Sequence, residues 1–439
     1  RGGVGIIRVS GPHAKAIGKR LLNKTLTHKK AQATEFLDEN NDVIDYGIAL
    51  YFQSPHSFSG EDVLEFHGHG GPVVLDTLLQ EILKHDVRMA RPGEFSEQAF
   101  LNNKMDLAQA EAVADLINAS SKQAARSAVR SLKGEFSEKI SDLIGRLIQL
   151  RTYVEAAIDF PEEDVDFLAN KSINHDLDNL IKKLHTLQSV ATQGCLLQEG
   201  INVVIAGAPN AGKSSLLNAL SKESAAIVSD IPGTTRDVLK EKINLDGIPL
   251  HIIDTAGLRQ SDNPIEQEGI RRAWQEIESA DEVLFIVDVN TTPKSTPQQL
   301  WPDYFSRIKQ PKPFILVCNK IDLNPALTPN VIEHDNNATV YLSAKQLQGI
   351  DLLKAHLKKI IGFHSNEEGL FIARRRHVNA LEKALTSLLR GKQQLLLNRA
   401  GELLADDLRQ AQQSLSEITG EFSSDDLLGE IFSSFCLGK

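Results

Sequence analysis

Ile201-Asn202-Val203-Val204-Ile205-Ala206-Gly207-Ala208-Pro209-Asn210-Ala211-Gly212-Lys213-Ser214 decides the fold of the middle of this chain. The apolar run predicts a buried strand, the Gly-x-x-x-x-Gly-Lys-Ser pattern a phosphate-binding loop, and Leu216-Leu217-Asn218-Ala219-Leu220 the helix such a loop opens. Glycines let backbone N–H groups curl around phosphate oxygens at the helix N-terminus. Lys213 then neutralises the β and γ charges, and the Ser214 hydroxyl is a candidate Mg²⁺ ligand. A glycine-rich structural turn is the alternative, and the agreement of strand, loop and helix argues against it.

Further apolar segments at 248–253, 283–289, 313–318 and 339–342 alternate with polar or helical ones, which predicts a parallel α/β domain. Asn319-Lys320-Ile321-Asp322 follows the strand at 313–318. An Asp322 carboxylate accepts two hydrogen bonds from guanine N1–H and the N2 amino group, a donor pair that adenine lacks, so GTP is expected over ATP. Ser343-Ala344-Lys345 closes the last strand. Asp254-Thr255-Ala256-Gly257 ends the strand at 248–253, placing a carboxylate near Mg²⁺ and a glycine beside the γ-phosphate. Pro232-Gly233-Thr234-Thr235-Arg236-Asp237 reads as the first switch, with Thr235 as a Mg²⁺ ligand; a surface turn is the competing reading for Arg236. Leu258 stands where a water-orienting Gln often occurs, so hydrolysis needs another polar group, and Asp262, Glu266 and Glu268 are the nearby candidates.

Outside this segment the texture changes. Residues 1–103 mix β-rich runs (Val4 to Val9, Val43 to Phe52, Asp62 to Phe66) with helical stretches, an α+β pattern. Over 104–199 the chain reads as helical, with Leu132, Phe136, Ile140, Leu143, Leu147, Leu150 and Val154 on one stripe that stops at Phe160-Pro161-Glu162-Glu163-Asp164. Residues 363–439 are helical again, with Val378, Leu381, Leu385, Leu388 and Leu389 in period. The expected architecture is therefore a multidomain α+β chain: an N-terminal α+β domain, a discontinuous helical domain, and a Ras-like α/β P-loop G domain at 200–362 inserted between its halves.

Composition excludes several classes. The 439 residues carry a net charge of -10, so any nucleic-acid contact must come from a local patch. No apolar run approaches the ~20 residues of a membrane span. Cys195, Cys318 and Cys436 lack metal-ligand spacing, which points to a reducing, cytoplasmic setting. The chain opens on Arg1-Gly2-Gly3, and a short preceding segment is expected.

The linked motifs Gly-Ala-Pro-Asn-Ala-Gly-Lys-Ser, Gly-Thr-Thr-Arg-Asp and Asp-Thr-Ala-Gly-Leu-Arg, with the terminal Cys436-Leu437-Gly438-Lys439, resemble the tRNA modification GTPase family MnmE, also called TrmE. Arg1 to Arg8, Phe66 to Pro72, Arg91 to Ser96 and Asp106 to Glu111 extend the resemblance along the whole chain. It implies a K⁺-dependent GTPase in which K⁺ replaces an arginine finger, with Asn210 as side-chain ligand and Ser229, Ile231 and Thr234 as oxygen donors. The nucleotide and cation site would then comprise Asn210, Ala211, Gly212, Lys213, Ser214 and Ser215; Ser229, Asp230, Ile231, Pro232, Gly233, Thr234 and Thr235; Asp254, Thr255, Ala256 and Gly257; Asn319, Lys320 and Asp322; and Ser343, Ala344 and Lys345. Glu266 aligns with the family's water-activating glutamate.

The resemblance further implies a folate-binding, dimerising N-terminal domain that takes 5-formyltetrahydrofolate or a related one-carbon donor. Arg8, Glu65 and Lys104 carry over as its ligands; surface charges flanking a core strand are the bland alternative. Lys439 joins the folate contacts, and Cys436 is a candidate catalytic residue whose role as nucleophile, acid or tether stays open. His67 and His69 read as loop histidines, and Arg374-Arg375-Arg376-His377 as a solvated helix start, with contact to tRNA phosphates as the alternative. The implied function is modification of C5 of the wobble uridine of certain tRNAs, with an aminomethyl or carboxymethylaminomethyl group, by a homodimer acting with the flavoprotein MnmG in a heterotetrameric complex. A ribosome-assembly or signalling switch GTPase is the alternative.

Overall fold

The β-rich runs at Val4–Ser10, Val43–Phe52 and Val63–His69 form three strands of an N-terminal sheet, in each of which successive side chains point to opposite faces. The computed structural model describes the chain apart from residues 1, 160–170, 223–239, 246, 255–270, 272–273, 276, 292–295, 309–311, 335–336, 361–368, 399, 422–424, 434, 436–437 and 439. The side chains of 159, 171–172, 222, 240–242, 254, 398, 425–427 and 430 also lie outside it. The chain divides into two compact units, one of residues 1–114, 131–184 and 380–439, the other of residues 115–130 and 185–379.

In the first unit, β1 (Val4–Ser10), β2 (Gln32–Leu37), β3 (Val43–Phe52) and β4 (Val63–His69) form an antiparallel sheet in the order β1-β4-β3-β2. The second strand is an addition to the three expected ones; its signal is the short alternation that turns Thr34 and Phe36 inward. Helices α1 (Ala14–Leu22) and α2 (Pro72–Leu83) contribute Ile17, Leu21, Leu78 and Ile82 to a core with Val9, Phe36, Leu64 and Phe66. Phe36 and Phe66 meet edge to face at 5.3 Å. The opposite face leaves Val4, Ile6, Tyr46 and Ile48 exposed. Two short helices, α3 (Glu94–Leu101) and α4 (Leu107–Ile117), follow, then α5 (Lys122–Leu132).

The predicted apolar stripe is the buried face of α6 (Glu135–Asp159): Phe136, Ile140, Leu143, Leu147, Leu150 and Val154 are all buried. Leu132 belongs to the preceding helix, because Gly134 adopts φ +92°, a left-handed conformation that ends one helix before the next begins. Helix α7 (Lys171–Glu199) follows, and Lys183 on it pairs with Asp142 of α6 at 3.0 Å.

The second unit holds a seven-stranded sheet. The five expected strands appear as β5 (Ile201–Gly207), β7 (Ile248–Asp254), β8 (Glu282–Asp288), β9 (Phe314–Asn319) and β11 (Asn337–Tyr341), pairing in parallel in the order β11-β9-β8-β5-β7. Two antiparallel strands that the sequence pattern did not predict flank them: β6 (Lys240–Leu245) pairs with β7, and β10 (Asn330–His334) with β11. Both are edge strands, whose charged and polar residues hide them from a search for apolar runs. Helix α8 (Lys213–Lys222) and helix α9 (Ile350–Ile360) pack Leu216, Leu220, Leu353 and Leu357 onto the sheet.

Beyond this sheet run α10 (Arg375–Asn398), α11 (Gly401–Thr419) and α12 (Asp425–Ser433). Leu381, Leu385 and Leu388 are buried as their period predicts, whereas Leu389 faces solvent. In the first unit α11 packs along α6, and Arg151 donates to Gln412 at 2.7 Å. Arg374, expected as a solvated charge, instead pairs with the buried Asp115 at 2.8 Å, whereas Arg375 stays 66% exposed while it meets Glu199 at 3.2 Å.

Glu282, first residue of β8, is 3% exposed, and among the described residues neither carboxylate oxygen has a hydrogen-bond partner. Burial pushes its carboxyl up to about 7, the adjacent Val283 N–H offsets part of the rise without forming a hydrogen bond of good geometry, and Asp281 adds to it. A folded pKa above the unfolded value means the native state holds the extra proton, so this group lowers stability progressively as pH rises from 4.5 to about 7. Glu282→Gln is therefore expected to stabilise the protein by on the order of 2 kcal/mol at pH 8 and by little at pH 5, read from urea unfolding at both. An equal effect at the two values would contradict the charge-burial account.

Candidate functional site

The nucleotide motifs converge at the carboxyl ends of the parallel strands, where ligands of open α/β sheets bind. Strand β5 is covered on both faces, with Val203, Val204 and Ile205 fully buried, so its end is a rigid base for the loop that follows. Helix α8 begins at Lys213 directly after the loop, and the first N–H groups of a helix have no partner within it. Lys213 folds back over the loop, donating to Gly207 O at 2.7 Å, with Ala208 O at 3.4 Å, which holds its ammonium inside the curve of the backbone. Ser214 and Ser215 lie on the first turn. Asn210 adopts φ +64° and Gly212 φ +105°. Asparagine is among the few non-glycine residues tolerated in the left-handed region.

Asn319, at the end of β9, is 2% exposed and engaged at both ends of its amide. Nδ2 donates to Ala211 O at 2.9 Å, and Oδ1 accepts from Ala344 N at 3.0 Å. One side chain thus joins the phosphate loop, the base motif and the loop after β11. Asp322 accepts the Ser343 hydroxyl on Oδ1 at 2.6 Å, and Gln346 N donates to the same Ser343 oxygen at 3.2 Å. Ser343 is fully buried, so the Asp322 carboxylate is oriented by a fixed partner and keeps further acceptor positions for a ligand. Lys345 is exposed beside it, and Lys320 adopts φ +68°. A magnesium nucleotide fits this donor set: a cationic ammonium, a helix-start hydroxyl and backbone N–H groups.

Asp254 is the last residue of β7, level with Ile205 of β5, and its side chain lies outside the described residues. Thr255, Ala256, Gly257, Ser229, Asp230, Ile231, Pro232, Gly233, Thr234, Thr235 and Glu266 also lie outside them, as do Cys436 and Lys439. The two other cysteines are buried, and burial pushes the Cys195 thiol up to about 12 and the Cys318 thiol to about 11, so both are poor nucleophiles.

In the N-terminal sheet, Arg8 and Glu65 are cross-strand partners on β1 and β4. Arg8 donates to Glu65 Oε1 through Nε at 2.8 Å, and its Nη2 lies 2.7 Å from the same oxygen. Phe58 and Phe95 flank the guanidinium at 5.6 and 5.4 Å. Burial raises the Glu65 carboxyl, but hydrogen bonds from His67 and Arg8 overcome this and hold it below the ordinary range. Arg8 Nη1 is 3.5 Å from Gly438 O, which brings Gly438 to this pair. A cavity of about 1040 Å³ runs along the free edge of β1, bordered by Arg8, Ser10, His13, Glu61, Phe95 and Gly438.

Lys104 does not border that cavity; its ammonium donates to Pro55 O at 2.9 Å, on the loop that carries Phe58. Ser10 and Glu61, which no motif in the sequence singles out, hydrogen-bond at 2.7 Å with Ser59 beside them. Their signal is only visible in space. His67 and His69 sit on strand β4, not a loop, paired with Glu65 at 3.0 Å and Asp45 at 2.7 Å. No cluster of three or more metal-ligating side chains occurs among the described residues.

Gly212 gives a direct test of the loop geometry. A Cβ there would fall inside the van der Waals radius of Asn319 Nδ2, and the backbone is left-handed as well. Gly212→Ala is expected to weaken nucleotide binding by at least about fivefold, since steric strain in a preorganised loop is worth about 1–3 kcal/mol; titration with a fluorescent guanine nucleotide measures it. Unchanged affinity would show that the Asn319 bridge is dispensable.

Two family models match: GTP-binding protein TrmE N-terminus over residues 1–104 and MnmE helical domain over residues 107–436. The tRNA modification GTPase MnmE of Proteus mirabilis is 56% identical over 442 residues, spanning 100% of this chain and 97% of that protein. The protein of the same name from Vibrio cholerae is 58% identical over 441 residues, again with 100% and 97% covered. Among solved structures, the FeoB G-domain of Methanococcus jannaschii matches 37% of this chain and 98% of its own at 23% identity and a TM-score of 0.26. Matched by both family models, which together span nearly its whole length, and more than half identical to full-length relatives, the chain belongs to the tRNA modification GTPase MnmE family.

Proposed function

We propose that the protein is a K⁺-dependent GTPase that works with the flavoprotein MnmG to modify C5 of the wobble uridine of certain tRNAs. The observation that carries the GTPase part is the Asn319 bridge with the Ser343–Asp322 hydrogen bond, which holds a phosphate loop and a guanine-accepting carboxylate at one sheet edge. Lys213 and the start of α8 bind and orient phosphate, and Ser214 and Thr235 are the chain's ligands for Mg²⁺, which would supply charge neutralisation there. Asn210, Ser229, Ile231 and Thr234 hold K⁺ in this reading, and Glu266 positions the attacking water.

A tetrahydrofolate would supply the one-carbon unit. Arg8, Glu65, Lys104 and Lys439 are its proposed ligands and Cys436 the proposed catalytic thiol. The 3.5 Å approach of Gly438 O to Arg8 supports the reading, because Gly438 lies within the Cys-Leu-Gly-Lys sequence. Val4, Ile6, Tyr46 and Ile48, exposed on one face of the same sheet, suit a homodimer joined there. No helix among the described residues is long and apolar enough to cross a membrane. A tRNA substrate and a flavoprotein partner would place the reaction in the cytoplasm. A ribosome-assembly or signalling switch has no use for the Arg8–Gly438 approach.

GTP turnover in KCl against NaCl at equal ionic strength tests the proposal. Potassium is expected to stimulate strongly, and Glu266→Ala to abolish the stimulation. Asn210 calls for glycine rather than alanine, since φ +64° alone would strain alanine there. Loss of stimulation in Asn210→Gly identifies the side chain as a cation ligand, and retained stimulation assigns Asn210 to the backbone turn alone.

A further inference from the structure

We infer that Asp288 is a positioning residue of the guanine site, acting through Lys320; the inference rests on the GTP reading above. Asp288 ends β8 and is level with Asn319 of β9 in the parallel register, so the turn after β8 lies against the base motif. Asp288 Oδ2 pairs with Lys320 Nζ at 2.8 Å, with the two side chains 15% and 31% exposed. Asn290 completes a clamp: its N–H and Nδ2 donate to Asp288 Oδ1 at 3.0 and 3.2 Å, and Nδ2 also donates to Lys320 O at 3.0 Å. Val289 N donates to Asn319 O at 3.1 Å, which ties the same turn to the neighbouring strand.

This arrangement answers a physical problem. Lys320 stands between Asn319 and Asp322, the residues that frame the base position, in a left-handed backbone conformation with a long, flexible side chain. An unanchored lysine there would have to be ordered each time a nucleotide binds, and immobilising such a side chain costs about 0.5–1.5 kcal/mol. Anchoring the ammonium to Asp288 fixes the aliphatic stem beforehand, and the Asn290–Lys320 O bond fixes the backbone. Burial on its own would raise the Asp288 carboxyl, yet the hydrogen bonds from Lys320 and Asn290 hold it below the usual range, so the anchor is anionic at neutral pH. Asp288 touches no base atom in this scheme; it holds Lys320, the residue between Asn319 and Asp322, in place.

The test is a double-mutant cycle on GDP affinity in the full chain, with Asp288→Asn, Lys320→Met and the pair. Methionine keeps the apolar stem and removes the ammonium. Asp288→Asn is expected to weaken GDP roughly three- to thirtyfold in the Lys320 background and by less than about twofold in the Lys320→Met background, as coupled neighbours behave. The KM for GTP should rise with the GDP constant while kcat changes far less. Asn290→Ala keeps the acid and removes the buttress, and a smaller loss in the same direction is expected if Asp288→Asn proves unstable in thermal melts. Equal weakening in both backgrounds, or none with Lys320 present, overturns the role of Asp288. Failure of the unsubstituted chain to bind GDP would instead overturn the guanine reading beneath it.

Discussion

Everything in the nucleotide half hangs on one buried amide. Asn319 is enclosed at the end of β9, and its two hydrogen bonds run to Ala211 and Ala344, residues 108 and 25 positions away. A buried amide left unpaired costs about 1–3 kcal/mol, so neither loop can shift without exposing that penalty. The bridge explains why Gly212 must be glycine, since the amide nitrogen occupies the space a side chain would take. It also explains how phosphate and base recognition, carried by residues far apart in sequence, keep one spacing: both loops are measured from the same atom group.

The adjacent strand adds the second constraint. Parallel registry places Asp288 beside Asn319, and an anion at that point meets the lysine that follows the asparagine. A strand ending Val-Leu-Phe-Ile-Val-Asp reads from sequence as a core strand that stops at a charge. Only the register reveals which charge it faces. The same limit applies to Ser10 and Glu61, which are 51 residues apart and meet at the rim of a cavity no local pattern announces.

What could be read in the sequence was what local physics writes there. Ile201 to Gly207 is apolar because both its faces are covered, and Phe136 to Val154 repeats at helical spacing because one face of α6 is. The edge strands β6 and β10 escaped because an edge needs no apolar run and gains from charge. His67 and His69 looked like loop residues because glycines surround them; in the sheet the glycines are accommodations instead, since Asp45 occupies the space beside Gly68. Arg374 looked solvated because its acidic partner, Asp115, is distant in sequence. The motifs named the chemistry of the site, while its partners were set by tertiary pairing.

The N-terminal pair shows how such pairing alters a functional argument. Taken singly, Arg8 is a cation for a ligand carboxylate and Glu65 an acceptor for a ring N–H. Joined at 2.7 Å, they are electrically close to neutral, and Arg8 commits Nε and Nη2 to Glu65. Its Nη1 faces Gly438 O. An anionic ligand at this edge therefore gains little net attraction from Arg8 and depends on further cations. Lys104, held on Pro55 O one loop away, is one such cation among the described residues. On these grounds Arg8 serves this edge by geometry more than by charge, the opposite of what arginine's permanent charge would suggest.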